Sequence, residues 1–308
     1  MNKPRFTFLL PAYKICFLKD ALKSILAQIY GDFRVVVSDD ASPEPLKEIV
    51  DSFVDERISY RRNATNLGTT RLVQHWNLLL DSCDSDYVII ASDDDLYRPN
   101  FLEQIDALIR EYPEANILRA AACIIDQDGK VSRTEKSAPQ WLTASDFLGF
   151  MINSDSVLCI GNYVFKTSAL KAMGGFISFP LGWKSDSATE LLMAQNGIPS
   201  TGEVLFSFRM SGLNISSRNE PNREKDRAKL EALIAFDDWA TTHLPAEVLK
   251  PNQAGLRNRL EGEARSYIWT LSSSEFRSLF SKFKREHWFR STRNRLSFLL
   301  CRLRSHYA

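Results

Sequence analysis

Tyr87-Val88-Ile89-Ile90-Ala91-Ser92-Asp93-Asp94-Asp95 is an apolar strand that ends in charge. Its first five residues suit a buried β-strand, and three carboxylates follow after one serine. The same pattern stands upstream, where Phe33-Arg34-Val35-Val36-Val37 leads through Ser38 to Asp39-Asp40. Between and around these strands the period changes. Phe6 to Leu10 reads as a first strand, and Leu18, Leu22, Ile25, Leu26 and Ile29 recur at helical spacing. A helix is predicted over Glu44–Phe53, opened by Pro43 and Pro45, then a short strand at Ile58-Ser59-Tyr60 and a helix over Thr69–Leu80. Pro99-Asn100 starts another helix, Phe101–Arg110. Strands alternating with helices predict βαβ units: an α/β, Rossmann-like fold with a mainly parallel central sheet flanked by helices.

Farther along, Ile117–Ile125 reads as a strand ending in the turn Asp126-Gln127-Asp128-Gly129. A helix over Thr143–Met151 and a strand over Cys159–Phe165 follow. The turn Met173-Gly174-Gly175-Phe176, a helix over Ser185–Gln195 and a strand over Val204–Arg209 come next. Beyond residue 216 the pattern is helical and polar, which predicts a catalytic domain over 1–216 and a C-terminal helical extension over 217–308.

At 308 residues with 44% hydrophobic side chains the chain has enough apolar material for a large core. Its net charge of +1 lacks the basic excess of a nucleic-acid binder. The five cysteines are scattered without a CxxC pair, which argues against a disulfide framework or zinc site and fits a reducing compartment. No signal peptide is visible and no apolar run approaches the ~18–20 residues of a membrane span, so a cytoplasmic location is expected. From Lys282 onward eight basic residues face a single acid, Glu286, interleaved with Phe283, Trp288, Phe289, Phe298 and Leu299. Such a tail either packs its apolar side on the protein or lies on an anionic surface at the inner face of the cell membrane.

In a parallel sheet, strand ends of one kind share an edge, and open α/β sheets bind ligands there. Asp39-Asp40 and Asp93-Asp94-Asp95 are therefore expected to meet at one crevice. Clustered carboxylates repel, so they call for a cation or hydrogen-bond donors, and hard oxygens suit Mg²⁺ or Mn²⁺ shared with phosphates. Taken singly, each acidic run also reads as a capping turn. Asn66-Leu67-Gly68-Thr69-Thr70-Arg71 adds a glycine and a helix start, which is a modest anion-binding signal.

Five pieces in order carry a resemblance: Pro11-Ala12-Tyr13-Lys14, Ser38-Asp39-Asp40-Ala41-Ser42, Asn66-Leu67-Gly68 with Arg71, Ser92-Asp93-Asp94-Asp95 with Pro99, and Lys184-Ser185-Asp186. From about Phe6 to Ser216 the chain resembles the family 2 inverting glycosyltransferases of GT-A fold, of bacterial polysaccharide-biosynthesis type. The resemblance implies a metal-dependent transfer of a sugar from a nucleotide-diphosphate donor, a UDP-sugar above all, to a hydroxyl of a glycan or lipid-linked glycan. It implies that Pro11 and Tyr13 lie at the nucleotide, with Tyr13 stacking on the base. Asp39 or Asp40 would accept the base N–H, and Arg71 would contact base or phosphate. Asp93 would bind ribose or assist the metal, and Asp94 would bind the metal directly. Ser92 stands where the family's DxD motif has its first Asp. Asp95 would support the turn. Asp186 would be the general base, with Ser185 where the family often has Glu. Trp183 would stack on a sugar or simply pack. Arg209, with Ser211, Asn214 and Ser216, would close over the diphosphate.

Two other readings compete. A nucleotidyltransferase would show a Gly-rich, basic loop after the first strand, where this chain has Pro11-Ala12-Tyr13-Lys14. A catalytically inactive sugar- or protein-binding relative would have lost the acids, yet Asp93, Asp94 and Asp186 are present.

Overall fold

A computed structural model describes residues 3–279 apart from 137, 154, 213–221, 273, 276 and 277. Asn214, Ser216, the boundary at 216/217 and the basic tail lie outside the described residues. The elements run β1 Phe6–Ala12, α1 Leu18–Leu26, β2 Phe33–Asp39, α2 Leu46–Asp51, β3 Ile58–Arg62, α3 Leu72–Asp81, β4 Tyr87–Ile90, β5 Leu96–Tyr97, α4 Phe101–Glu111 and β6 Ile117–Ile125. They continue with β7 Val131–Thr134, β8 Trp141–Leu142, α5 Ala144–Ile152, β9 Tyr163–Lys166, α6 Thr167–Ala172, α7 Ser185–Met193, β10 Ile198–Arg209, α8 Arg223–His243 and α9 Ala246–Ile268.

The main sheet has the order β3-β2-β1-β4-β9-β6-β10-β5. The βαβ expectation holds where it was strongest, since β1, β2, β3 and β4 pair in parallel. β6 and β10 are parallel as well, but β9 runs antiparallel between β4 and β6. The predicted strand over Cys159–Phe165 is corrected in part: Ile160–Asn162 forms a 3-10 turn and the ladder starts at Tyr163. Likewise Thr69–Arg71 is a 3-10 turn ahead of α3. Gly68 ahead of it holds a positive φ of 60°, which suits glycine.

Strands β1 and β4 are buried along nearly their whole length, which explains their continuous apolar runs. One core face packs α1, α2 and α4 through Leu22, Val50 and Ile105. The other takes α3, α5 and α7 together with α8 and α9, whose Leu230, Leu233, Phe236 and Leu260 join the same cluster. Both parallel blocks point their carboxyl ends toward one edge, because two successive antiparallel pairings through β9 restore the direction.

Candidate active site

Asp93 anchors the first loop of that edge. Its Oδ2 accepts the backbone N–H groups of Tyr13 (2.9 Å) and Lys14 (2.8 Å). The Lys14 ammonium lies 2.7 Å from Asp94 Oδ2 and 3.4 Å from Asp93 Oδ1. Ser92 donates to Asp94 Oδ1 at 2.6 Å. On the far side of the loop, Ser42 donates its hydroxyl to Tyr13 O at 2.6 Å and its N–H to Asp39 Oδ1 at 2.7 Å. Glu44 accepts the N–H of Ile15 at 2.9 Å. A continuous set of hydrogen bonds thus joins Asp93 to Asp39, over 50 residues apart in sequence. Pro11 falls beyond the last β1–β4 pair, Leu9↔Ile90, so its missing N–H costs that ladder nothing. The Tyr13 ring is 45% exposed and open to a planar ligand.

The two aspartates after β2 do different work. Asp39 is fully buried, and Tyr60 and Arg62 both donate to its Oδ2. Asp40 accepts the N–H groups of Leu67 and Gly68 at 2.9 Å each, and Asn63 Nδ2 at 2.8 Å. Burial pushes the Asp40 carboxyl up, but these three donors outweigh it and hold the pKa below the ordinary value. Two motifs that look separate in sequence, Asp39-Asp40 and Asn66-Leu67-Gly68, are therefore one hydrogen-bonded unit. Arg71 is exposed and donates to Asn66 O at 2.8 Å, at the rim of this unit.

Asp186 lies in the first turn of α7. It is not the helix cap: that position belongs to Lys184, held left-handed at φ 67°. Asp186 Oδ1 accepts the N–H of Ser187 at 2.7 Å, and burial raises its pKa. The turn before it is fixed by Asn77 of α3, which donates to Phe176 O at 3.1 Å and accepts Phe176 N–H at 2.8 Å. Gly175 is obligatory there, with φ at +88° and Asn77 Oδ1 only 2.5 Å from where a Cβ would stand. Trp183 packs rather than facing open space: the Lys229 ammonium lies 4.0 Å from its ring centre and Tyr267 meets it edge-on.

The Cys159 thiol is 3.8 Å from Asp95 Oδ2. Burial first, and then the charge of Asp95, push its pKa well up. Burial also raises Asp93, and it raises Asp95 strongly, with Asp94 adding like-charge repulsion to each. Asp95 accepts the Arg209 N–H at 2.8 Å, while the Arg209 guanidinium donates to the carbonyls of Asp94, Asp126 and Gln127. Arg209 thereby ties the acidic turn to the end of β6. Glu190, one helical turn after Asp186, is buried with neither oxygen hydrogen-bonded. Burial and the Asp186 charge hold its pKa well above the ordinary range.

Lys14 and Ser42 stand in the quoted motif pieces without a role of their own, and the sequence assigns no site role to Glu44, Cys159 or Glu190. Lys14 left one further signal there, as a cation one residue from Tyr13. Among the described residues no group of three or more His, Cys, Asp or Glu is arranged to hold a metal. The available set is a pair, Asp93 and Asp94, with hard oxygens and an ammonium already drawn to them. A Mg²⁺ or Mn²⁺ ion that takes one or two protein carboxylates and completes its shell with phosphates and water fits such a pair.

These acids and the exposed Tyr13 lie at one edge of a mainly parallel α/β sheet, an arrangement of GT-A architecture. The profile described as "Glycosyl transferase family 2" matches residues 7–170. The chain belongs to that family. It is similar to a Bacillus subtilis (strain 168) protein named as glycosyltransferase EpsE, 26% identical over 165 residues, 52% of this chain and 55% of the relative. An uncharacterized glycosyltransferase of Haemophilus influenzae is 27% identical over 107 residues, 34% of this chain and 42% of the relative. The matches span about half or less of these relatives' lengths. Two solved structures share the fold. S. aureus TarS 1–349 in complex with UDP-GlcNAc has a TM-score of 0.56 at 16% identity, over 93% of each chain. The mannosyltransferase PcManGT from Pyrobaculum calidifontis, in complex with GDP-Man and Mn²⁺, has a TM-score of 0.58 at 15% identity, over 99% of this chain and 87% of that one.

Proposed function

We propose that the chain moves one sugar, with inversion, from a UDP-sugar to a hydroxyl of a glycan or lipid-linked glycan acceptor. The observation that carries this reading is the hydrogen-bonded sheet edge, where Asp93 clasps the Tyr13–Lys14 backbone, Lys14 reaches Asp94, and Ser42 joins the same loop to Asp39. Fold neighbours bound to UDP-GlcNAc, and to GDP-Man with Mn²⁺, support a nucleotide-sugar donor and a divalent ion.

Each residue then has a task. The exposed ring of Tyr13, with Pro11 beside it in β1, stacks on the base. Asp40 is better suited than Asp39 to accept the base N–H. Asp39 is sealed by Tyr60 and Arg62, while Asp40 Oδ2 accepts one described bond and has room for another. Arg71, at the rim, reaches base or phosphate. Asp94 and Asp93 would hold Mg²⁺ or Mn²⁺, which when bound would neutralise charge developing on the leaving diphosphate. Arg209 steadies the Asp94-Asp95 turn and would close over the diphosphate. Asp186 takes the proton of the acceptor hydroxyl as its oxygen attacks the anomeric carbon. Residues 1–216 form the catalytic part and 217–308 the helical region. Bacterial cell-envelope polysaccharide synthesis is the setting, in the cytoplasm, with the basic tail touching the anionic inner face of the membrane. Among the described residues no helix is long and apolar enough to cross a membrane.

A thermal-shift screen of nucleotide sugars with and without Mn²⁺ tests the reading. A UDP-sugar should raise Tm only when metal is present, and Asp94→Ala should abolish that shift. A ligand at 100 times its Kd adds about 2.7 kcal/mol, enough to read clearly. Stabilisation that ignores metal, or that persists in Asp94→Ala, contradicts the assignment.

A further inference from the structure

Lys14 occupies an unusual position relative to the acidic pair. Its backbone N–H and its ammonium bracket Asp93 from two sides, at 2.8 Å to Oδ2 and 3.4 Å to Oδ1. The same ammonium lies 2.7 Å from Asp94 Oδ2, while Asp94 Oδ1 is already taken by Ser92. Asp93 Oδ1 and Asp94 Oδ2 are thus the two carboxylate oxygens that face Lys14. Both acids are buried, Asp93 at 5% and Asp94 at 1% exposed, whereas the Lys14 side chain keeps 27% of its surface in solvent.

We propose that Lys14 is a displaceable internal counter-ion: it closes the acidic pair in the ligand-free enzyme and must release Asp94 before a divalent cation can bind. This rests on the metal-assisted reading above and goes beyond it by making cation entry a competition with a residue of the chain. Three physical points support it. An ammonium and a divalent ion cannot share the same two oxygens, because like charges at contact distance repel strongly in a buried site. A single ammonium charge faces two buried carboxylates, Asp93 and Asp94, so a doubly charged ion has a reason to displace it. Lysine is a point charge on a flexible four-carbon stem, rooted here in the loop between β1 and α1, and it can swing without moving the sheet. Once released, the ammonium stays beside the crevice, where a donor's diphosphate offers it new oxygens.

The test is a titration of the full-length protein with Mn²⁺, following the free-ion signal by electron paramagnetic resonance, with no nucleotide and then with UDP. Lys14→Gln should bind Mn²⁺ ~10-fold or more tightly than wild type in the absence of nucleotide, because the competitor is gone. Lys14→Arg, which keeps the charge, should stay close to wild type. Without metal, Lys14→Gln should melt at lower temperature than wild type, and Mn²⁺ should restore it, which separates an unmasked site from a misfolded one. With UDP present, Lys14→Gln should lose its advantage, since the diphosphate draws the wild-type ammonium away. Equal or weaker Mn²⁺ binding by Lys14→Gln overturns the counter-ion role while leaving the metal site standing. Absence of Mn²⁺ binding in wild type and both variants, with and without UDP, overturns it together with the metal-assisted reading.

Discussion

Asp186 shows what burial does to the carboxylate proposed to take the acceptor's proton. Desolvation raises its pKa, which makes it a stronger base than an exposed aspartate once it is ionised. The consequence for pH is directional. In the proposed role transfer needs the ionised form, so the rate should fall as pH drops through the raised value, earlier than for an ordinary aspartate near ~4. The stability effect has the opposite sense. A group whose folded pKa is raised contributes stability at low pH that is lost as pH rises through that value. Asp186→Asn should therefore melt higher than wild type at pH 7, with the gap closing at acid pH. In a transfer assay it should turn over ~10²–10⁴-fold more slowly while donor binding is kept. A variant with near-normal turnover removes Asp186 from the mechanism.

Individual residues of the edge were legible in sequence because they stand on strand ends: Asp39, Asp40, Asp93, Asp94 and Asp95 each follow an apolar run. What they touch was not. That Asp40 spends its oxygens on Leu67 and Gly68, or that Asp93 clasps the Tyr13–Lys14 backbone, depends on contacts between segments that no local pattern encodes.

The segment leading into α7 is the element on which the proposed chemistry turns. Leu181, Gly182 and Lys184 all hold positive φ, a conformation costly for Leu and Lys that persists only when neighbours enforce it. The enforcing contacts come from the C-terminal helices: Lys184 Nζ lies 2.8 Å from Glu263 of α9, and Lys229 of α8 covers Trp183. Glu263→Gln should lower kcat several-fold and leave the donor KM near wild type, with a stability loss of about 1 kcal/mol. An unchanged kcat would show that the pair only fastens the helix. The antiparallel course of β9 belongs to this scale too. Its apolar run was visible in Cys159–Phe165, but strand direction is set by what precedes the strand in space, and the 3-10 turn at Ile160–Asn162 left no periodic trace.

The molecule as a whole is held by two cores on opposite faces of one sheet, and the second is completed by α8 and α9. Leu230, Leu233, Phe236 and Trp239 bury their side chains there, each worth about 2 kcal/mol. Together they rival the roughly 5–15 kcal/mol net stability of a typical protein. A fragment of residues 1–216 should accordingly fail to fold cooperatively, as judged by the loss of a sharp thermal transition. A soluble fragment with a native-like melt would mean that the helices are an accessory. The polar, helical composition after residue 216 announced the extension but not its partner, because the apolar face of α8 is thinly spread over 21 residues.

Everything at the three scales depends on acids from distant segments serving one reaction centre. The most direct measurement is a crystal structure of the chain grown with UDP and Mn²⁺. Mn²⁺ bridging Asp94 and the diphosphate, the uracil against Tyr13, and the Asp186 carboxylate facing the space beyond the diphosphate would be the expected result. UDP bound away from the Asp93–Asp94 pair, or Asp186 turned from the nucleotide with another base in its place, would contradict the account.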